Sequence, residues 1–457
     1  MIHFKLKDFR AIGLAEIDIK GITVVSGENG CGKSTISRLL YNTFNISNTY
    51  DVIIKRLLSR KLHEAMNILH SFLRALKDVD SNLHGGVDAT NTWMRRSSQS
   101  LLWIKSDEDI HVYQEKILSA IEQVQNRTVS LYEMDSVYDE RVEQIRDIEL
   151  YLSRMREFIY QQTNNYIDRE DVSALFEAFE GYVVDEINRA AEQMESRPIE
   201  IFTQELSSLF SQRIDTLNFD LCESGRCMTD WQGGSLEVCN DIHNCVYIDS
   251  PMAIGHDTYD DSYWDGLTDL LQKKRVGILG DTNESEYIAS VISGTSVLDG
   301  QTFYDDSSFD EKFVYRRNDG SIFDLTECAT GIKSFSIIQM LLQNGYLDKN
   351  TLLIVDEPEV HLHPQWVVEY ARLIVLLNKL LGVKVFIASH NPDMVSAIRY
   401  ISEKEGVLDQ VGFYLAEKNE DSYTYNYTYL ESDIEPIFAS FNIALDRINQ
   451  YGTLEQE

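Results

Sequence analysis

Gly27-Glu28-Asn29-Gly30-Cys31-Gly32-Lys33-Ser34-Thr35 decides the fold class of this chain. The stretch satisfies the pattern G-x-x-x-x-G-K-[ST] in full. Its glycines allow backbone conformations that turn successive N–H groups toward an anion. Lys33 adds a point charge for the β- and γ-phosphates of a nucleotide such as ATP, and Ser34 a hydroxyl for Mg²⁺. The run before it, Ile22-Thr23-Val24-Val25, is continuous and β-branched, as a buried strand requires. The run after it, Thr35–Phe44, suits a helix whose N-terminal dipole faces the same anion. The expected nucleotide contacts within the loop are Gly27, Asn29, Gly30, Gly32, Lys33, Ser34 and Thr35.

Two further motifs complete this chemistry. Leu352-Leu353-Ile354-Val355-Asp356-Glu357-Pro358-Glu359 is an apolar strand ending in carboxylates. Asp356 is the expected Mg²⁺ ligand with Ser34, and Glu357 the base that activates an attacking water. Pro358 stops the strand, so the acids project at its C-terminal edge, where open α/β sheets place ligands. Ile387-Ala388-Ser389-His390-Asn391-Pro392 delivers a second polar group from a second buried strand. His390 there is expected to contact the γ-phosphate or the water.

Together these motifs resemble ABC-type ATPases, and among them the RecF, SMC and OLD-nuclease branch. Val355-Asp356-Glu357-Pro358-Glu359-Val360-His361-Leu362-His363-Pro364, Phe9-Arg10 and Ser389-His390-Asn391-Pro392 carry the likeness, over residues 1–45 and 310–400. The resemblance implies an α/β ABC-type P-loop ATPase head with a large, mainly helical insertion and a β-rich segment. It implies hydrolysis of ATP with Mg²⁺, and Arg10 against the nucleotide's α-phosphate or base. It also implies a signature segment that acts in trans on a second copy's nucleotide. The matching place is Ala329-Thr330-Gly331-Ile332-Lys333-Ser334, with Thr330, Gly331 and Lys333 as the acting residues. This segment has one glycine where the family commonly has two. Stand-alone ATPases with this Asp-Glu-Pro-Glu segment are common in bacterial antiphage systems, of which the Septu type is the nearest.

The resemblance leaves the effector open. OLD proteins carry a Toprim nuclease domain after the head, and the stretch following His390 is too short for one. No HNH pattern occurs. The expectation is therefore a homo-oligomer, a dimer of heads or larger, that controls a separate effector, with an HNH nuclease as the leading type. Nucleic acid would be reached through that complex. A RecF-like repair ATPase that binds DNA directly, and a nucleotide-gated scaffold with little turnover, remain as alternatives.

Composition bounds these readings. The chain has 457 residues, 43% apolar and 25% charged, ordinary for a globular protein with room for two or three domains. No apolar run is long enough to span a bilayer and Met1–Arg10 has no signal core, so a cytoplasmic, membrane-free protein is expected. The net charge of −33 opposes direct binding to a phosphate backbone. Residues 1–80 are richer in Lys and Arg than in Asp and Glu. The pairs Lys55-Arg56 and Arg60-Lys61 read as a solvated helix face, with a nucleic-acid or partner contact as the sharper alternative.

The domain reading divides the head. Residues 1–50 carry the P-loop, 51–212 are helical, 213–310 are β-rich, and 311–457 carry the signature-like, acidic-strand and His motifs. Leu58, Leu62, Met66, Leu69, Leu73 and Leu76 recur at helical spacing. Gly85-Gly86 breaks that pattern, and Ser106-Asp107 opens another helix. Asp257–Asp265 reads as an acidic, aromatic loop. Asn318-Asp319-Gly320 marks a hairpin turn, Phe413–Leu430 a second hairpin, and Ile434–Ile448 a last helix. Cys222, Cys227, Cys239 and Cys245 cluster near His243. They read as free thiols, with a zinc site as the weaker alternative because the spacings are loose.

Overall fold

The N-terminal strands show pattern becoming structure in the computed structural model of the protein. It describes residues 1–79, 93, 104, 109–133, 142–210, 218–249, 262–275, 283–295, 297–306, 312–360, 362–420 and 422–439. β1 (Ile2–Phe9) turns Ile2, Phe4, Leu6 and Phe9 inward and pairs antiparallel with β2 (Ile12–Ile19). β3 (Ile22–Ser26) is buried at every residue. It lacks alternation because both of its faces are covered.

The other strands follow in chain order. β4 (Phe219–Glu223), β5 (Arg226–Cys227), β6 (Thr229–Asp230), β7 (Ser235–Leu236) and β8 (Asn244–Ile248) precede β9 (Gly300–Asp305), β10 (Lys312–Arg317) and β11 (Ile322–Asp324). β12 (Thr351–Asp356), β13 (Lys384–Ala388), β14 (Val411–Lys418) and β15 (Tyr425–Tyr429) come last. A 10-stranded sheet runs β5-β4-β1-β2-β15-β14-β3-β13-β12-β8. Its run from β14 to β8 is parallel throughout; β15 joins it antiparallel to β14 and parallel to β2, and β1, β2, β4 and β5 pair antiparallel with one another. The chain is thus α/β, as the motifs required.

Two compact units divide the chain, one of residues 1–48 with 199–457 and one of residues 49–198. In the first, Ile22, Val24, Val355 and Ile387 form one apolar cluster with Phe335, Tyr370, Ile374 and Ile398. The helices Thr330–Gln343, Pro364–Leu381 and Pro392–Glu405 therefore cover one face of the parallel strands. The helix Lys33–Asn48 packs against β8, β12 and β13 and shares nothing with that cluster, so it covers the other face.

The second unit consists of the helices Tyr50–Val79, Ile110–Glu133, Val142–Thr163 and Val172–Ser196. Phe72, Phe158, Phe176 and Phe179 are all buried in it. Its ends are pinned together. The Tyr50 hydroxyl donates to the Pro198 carbonyl at 2.8 Å, and the Arg197 guanidinium lies over the Tyr50 ring. Asp171 caps the helix Val172–Ser196 through the Ala174 N–H. The basic face is largely employed inside this unit: Lys55 is buried, and Lys61 and Arg189 both pair with Glu186.

Several expectations change here. The helix Ile199–Phe210 belongs with the first unit, so the helical insertion ends at Pro198. The stretch read as β-rich also contains the helices Ser262–Gln272 and Asn283–Ser293. Leu267 and Leu271, and Ile288 and Ile292, are buried at helical spacing. Residues 262–265 of the expected acidic loop open the first of these helices. Gly85-Gly86, Ser106-Asp107, residues 257–261, His361 and the last helix beyond residue 439 lie outside the described residues. Both hairpins form, β10 with β11 and β14 with β15.

Phe176 is fully buried beside Phe72, and truncating such a side chain costs about 3–5 kcal/mol. Phe176→Ala is expected to lower the unfolding midpoint of the helical unit in denaturant, followed by circular dichroism at 222 nm (a helix-reporting wavelength, about 220 nm). An unchanged midpoint would show that this aromatic cluster is not its core.

Candidate active site

Parallel pairing brings the three motifs to one edge. Ala388 is in register with Val25 on one side and with Asp356 on the other. The ladder continues one step past the strands. Ser389 N–H donates to the Val25 carbonyl at 3.0 Å, and Glu357 N–H to the Ala388 carbonyl at 2.8 Å. Loop, acidic pair and histidine segment therefore leave the sheet side by side.

The P-loop is held from beneath. Gly32 has φ of 102°, and a Cβ there would lie 2.7 Å from Ile12 Cγ1, so only glycine fits both the turn and the packing. The Tyr427 hydroxyl donates to the Cys31 carbonyl at 3.0 Å. Lys33 is 4% exposed, and its ammonium donates to the carbonyls of Gly27 and Glu28 at 2.9 and 3.0 Å. The charge thus sits within the loop. Asn29, Gly30 and Ser34 are exposed at its rim.

Asp356 is 2% exposed. Burial pushes its carboxyl up to about 6, the Ser34 hydroxyl opposes this by hydrogen bonding, and the nearby Asp249 and Glu357 carboxylates add to the rise. Its Oδ2 accepts from the Tyr247 hydroxyl at 3.2 Å, while Oδ1 is buried with no partner among the described residues. An unpartnered, buried carboxylate oxygen beside a serine hydroxyl fits a hard divalent cation such as Mg²⁺. Tyr247 is itself raised by burial and so remains a donor. Arg38 of the following helix reaches Asp249 at 3.4 Å.

Glu357 takes the left-handed backbone conformation, φ 49°. That is uncommon for a residue with a Cβ and clusters at functional sites. It turns the side chain out of the strand direction, and Glu357 Oε1 lies 3.3 Å from His390 Nδ1. Glu359 Oε1 lies 3.6 Å from the same nitrogen. Asn391 caps the helix Pro392–Glu405 through the N–H groups of Asp393 and Met394, which fixes the segment just after His390.

The remaining expected residues have the following surroundings. The Arg10 guanidinium donates to the Phe210 carbonyl at 2.7 Å and lies over the Phe9 and Phe210 rings. Lys333 is 6% exposed and its ammonium donates to the Thr326 carbonyl at 2.7 Å, so it ties down the preceding turn. Gly331 is required by packing, since a Cβ would lie 2.3 Å from the Trp366 ring. Thr330 is half-exposed at the helix start.

At Cys222 and Cys227 both the free-thiol reading and the zinc alternative give way to a disulfide. Cys222 and Cys227 face each other across β4 and β5 and form a disulfide, so that pair offers no thiolates to a metal. Cys239 and Cys245 are in no disulfide. Among the described residues no group of three or more His, Cys, Asp and Glu side chains converges on a metal position.

Tyr247, Asp249 and Glu359 escaped the sequence reading of the site. They stand on or beside strands whose pairing, β8 against β12, joins residues distant in the chain.

The raised Asp356 carboxyl makes stability depend on pH. The folded state holds this proton up to about pH 6, whereas the free side chain releases it near 3.8. Stability is therefore lost as pH rises from about 4 to 6, by at most about 3 kcal/mol. Asp356→Asn, which carries no charge, is expected to match the wild type at pH 4 and exceed it by about 1–3 kcal/mol at pH 7.5 in EDTA. Denaturant titrations at the two pH values measure this, and parallel curves would place the ionised carboxylate in a solvated site.

The sequence profile of the AAA ATPase domain matches residues 1–395. No curated protein that was compared matches the chain. Among solved structures, the Smc head domain of Pyrococcus furiosus with an extended coiled coil, bound to the C-terminal domain of ScpA, is similar at 10% identity. It covers 98% of this chain and 100% of its own, with a TM-score of 0.31. An SmcHead bound to the C-winged helix domain of ScpA is similar at 9% identity, covering 94% and 97%, with a TM-score of 0.31. The Smc head of Pyrococcus yayanosii with a coiled coil and joint follows at 8% identity, covering 90% and 61%, with a TM-score of 0.27. Likenesses this loose carry no conclusion about the chain. The profile does: over most of its length, the protein belongs to the AAA ATPase domain family.

Proposed function

We propose that this chain is an ATP-hydrolysing switch that closes head to tail with a second copy and controls a separate effector. The observation that carries the reading is the meeting of Glu357 and His390 at 3.3 Å, on the sheet edge that also bears Lys33 and Asp356. Lys33 and the loop N–H groups would bind the phosphates, and Ser34 and Asp356 would hold Mg²⁺. When bound, Mg²⁺ neutralises charge on the β- and γ-phosphates. Glu357 accepts the proton of the attacking water, and His390 contacts the γ-phosphate or that water. Thr330, half-exposed at a helix N-terminus, would meet a second copy's γ-phosphate.

The biological role rests on the likeness of the segment from Val355 to Pro364 to stand-alone antiphage ATPases of the Septu type. The effector in that reading is a separate nuclease of HNH type, and the setting is bacterial cytoplasm. Direct DNA binding is the weaker reading, because the charge of −33 opposes it and Lys55 and Lys61 are engaged within their own unit. Among the described residues no helix is long and apolar enough to cross a membrane.

Single-turnover hydrolysis tests the proposal. Glu357→Gln is expected to bind a fluorescent ATP analogue as the wild type does and to hydrolyse ATP about 10²–10⁴-fold more slowly. Lys33→Ala is expected to lose binding. In the Glu357→Gln protein, ATP and Mg²⁺ should raise the molar mass measured by light scattering. Equal hydrolysis rates in wild type and Glu357→Gln would remove Glu357 as the base, and an unchanged mass would remove head-to-tail closure.

A further inference from the structure

Glu359 is a buried carboxylate that the hydrolysis chemistry does not use. Its side chain is 3% exposed. Oε1 accepts from the Ser389 hydroxyl at 2.8 Å and from the His390 N–H at 3.0 Å. Oε2 is buried with no partner among the described residues, and burial raises the carboxyl above its ordinary range. Keeping a carboxylate there is costly. An amide or a threonine would satisfy the two donors without that cost.

The position of His390 explains what the charge does. Its Nδ1 atom is buried, although the side chain is 39% exposed. The exposed edge is therefore the one that carries Nε2. The nearest acceptors of Nδ1 are Glu357 Oε1 at 3.3 Å and Glu359 Oε1 at 3.6 Å, charge contacts rather than closed hydrogen bonds. Carboxylate oxygens only accept, so this environment places a proton on Nδ1. Glu357 is 38% exposed and Glu359 only 3%, so solvent screens the first far more than the second.

We propose that Glu359 is a positioning residue for His390. It anchors the histidine's backbone, and its unscreened charge keeps Nδ1 protonated and turned inward, which presents Nε2 outward. Glu357, the more exposed of the two carboxylates, then shares the histidine with an inner partner and keeps its capacity to take the proton of water. This inference rests on the hydrolysis reading for its consequence in rate, but not for the state of the ring.

Glu359→Gln separates charge from anchoring, because the amide oxygen still accepts from Ser389 and from the His390 N–H. The expected result is a fall in kcat of about 10–100-fold, with KM and the affinity for a fluorescent ATP analogue within about threefold. In the Glu359→Gln/His390→Ala double variant the loss is expected to equal that of His390→Ala alone, since Glu359 acts through His390. Nitrogen-15 spectra of the histidine-labelled protein, assigned with His390→Ala, read the ring directly. The wild type should show a protonated Nδ1, and Glu359→Gln a shift toward the other tautomer. Unchanged spectra in Glu359→Gln overturn the proposal, as do losses that multiply in the double variant. A wild type that does not hydrolyse ATP but shows the tautomer shift overturns the hydrolysis reading and leaves the positioning role standing.

Discussion

The register of three parallel strands governs this site. Val25, Ala388 and Asp356 lie in one row across β3, β13 and β12, and each strand ends within a residue of that row. The hydrogen-bond ladder is what makes the ends coincide, and it extends to Ser389 and Glu357. A slip of one residue in a parallel pair would turn each side chain to the other face of the sheet. β3 and β12 are buried at every residue and β13 from Val385 onward, so a slip would repack side chains on both faces at once.

Placing acids at such an edge sets two opposed demands. The strand must be apolar up to its last residue, yet that residue must carry charge. Asp356 answers with partial satisfaction, one oxygen bonded by Tyr247 and the other without a partner among the described residues. Glu357 answers by leaving the strand in a left-handed turn, which brings it to the half-exposed rim. Glu359 stays inside and is bonded from the neighbouring strand end. Consecutive acids of one short segment thus occupy three electrostatic environments, and the roles assigned to them follow from those environments.

Much of this was legible in the amino acids and some was not. The loop, the acidic strand end and the histidine segment each announced a strand and a break, since apolar runs, glycines and proline act locally. Their juxtaposition also followed, because parallel α/β sheets collect such ends at one edge. Pairing partners remained hidden. Nothing in Val246–Ile248 signals that β8 lies beside β12, or that Tyr247 bonds Asp356. Side-chain direction was hidden too. Lys333 and Arg10 carry charges that a motif reading sends outward, whereas local carbonyls and aromatic rings hold them in place. The cysteine spacing did not reveal that Cys222 and Cys227 stand opposite each other in a hairpin.

β3 lies between β14 and β13, both of which are made hundreds of residues after the loop that β3 carries. During synthesis the phosphate loop therefore leaves the ribosome long before its supports. Tyr427, which bonds the Cys31 carbonyl, is among the last described residues to emerge. Residues 49–198, by contrast, complete a unit of their own early, and domains generally form as they emerge. The strands on either side of β3, and the tyrosine that bonds its loop, are thus made long after the loop itself.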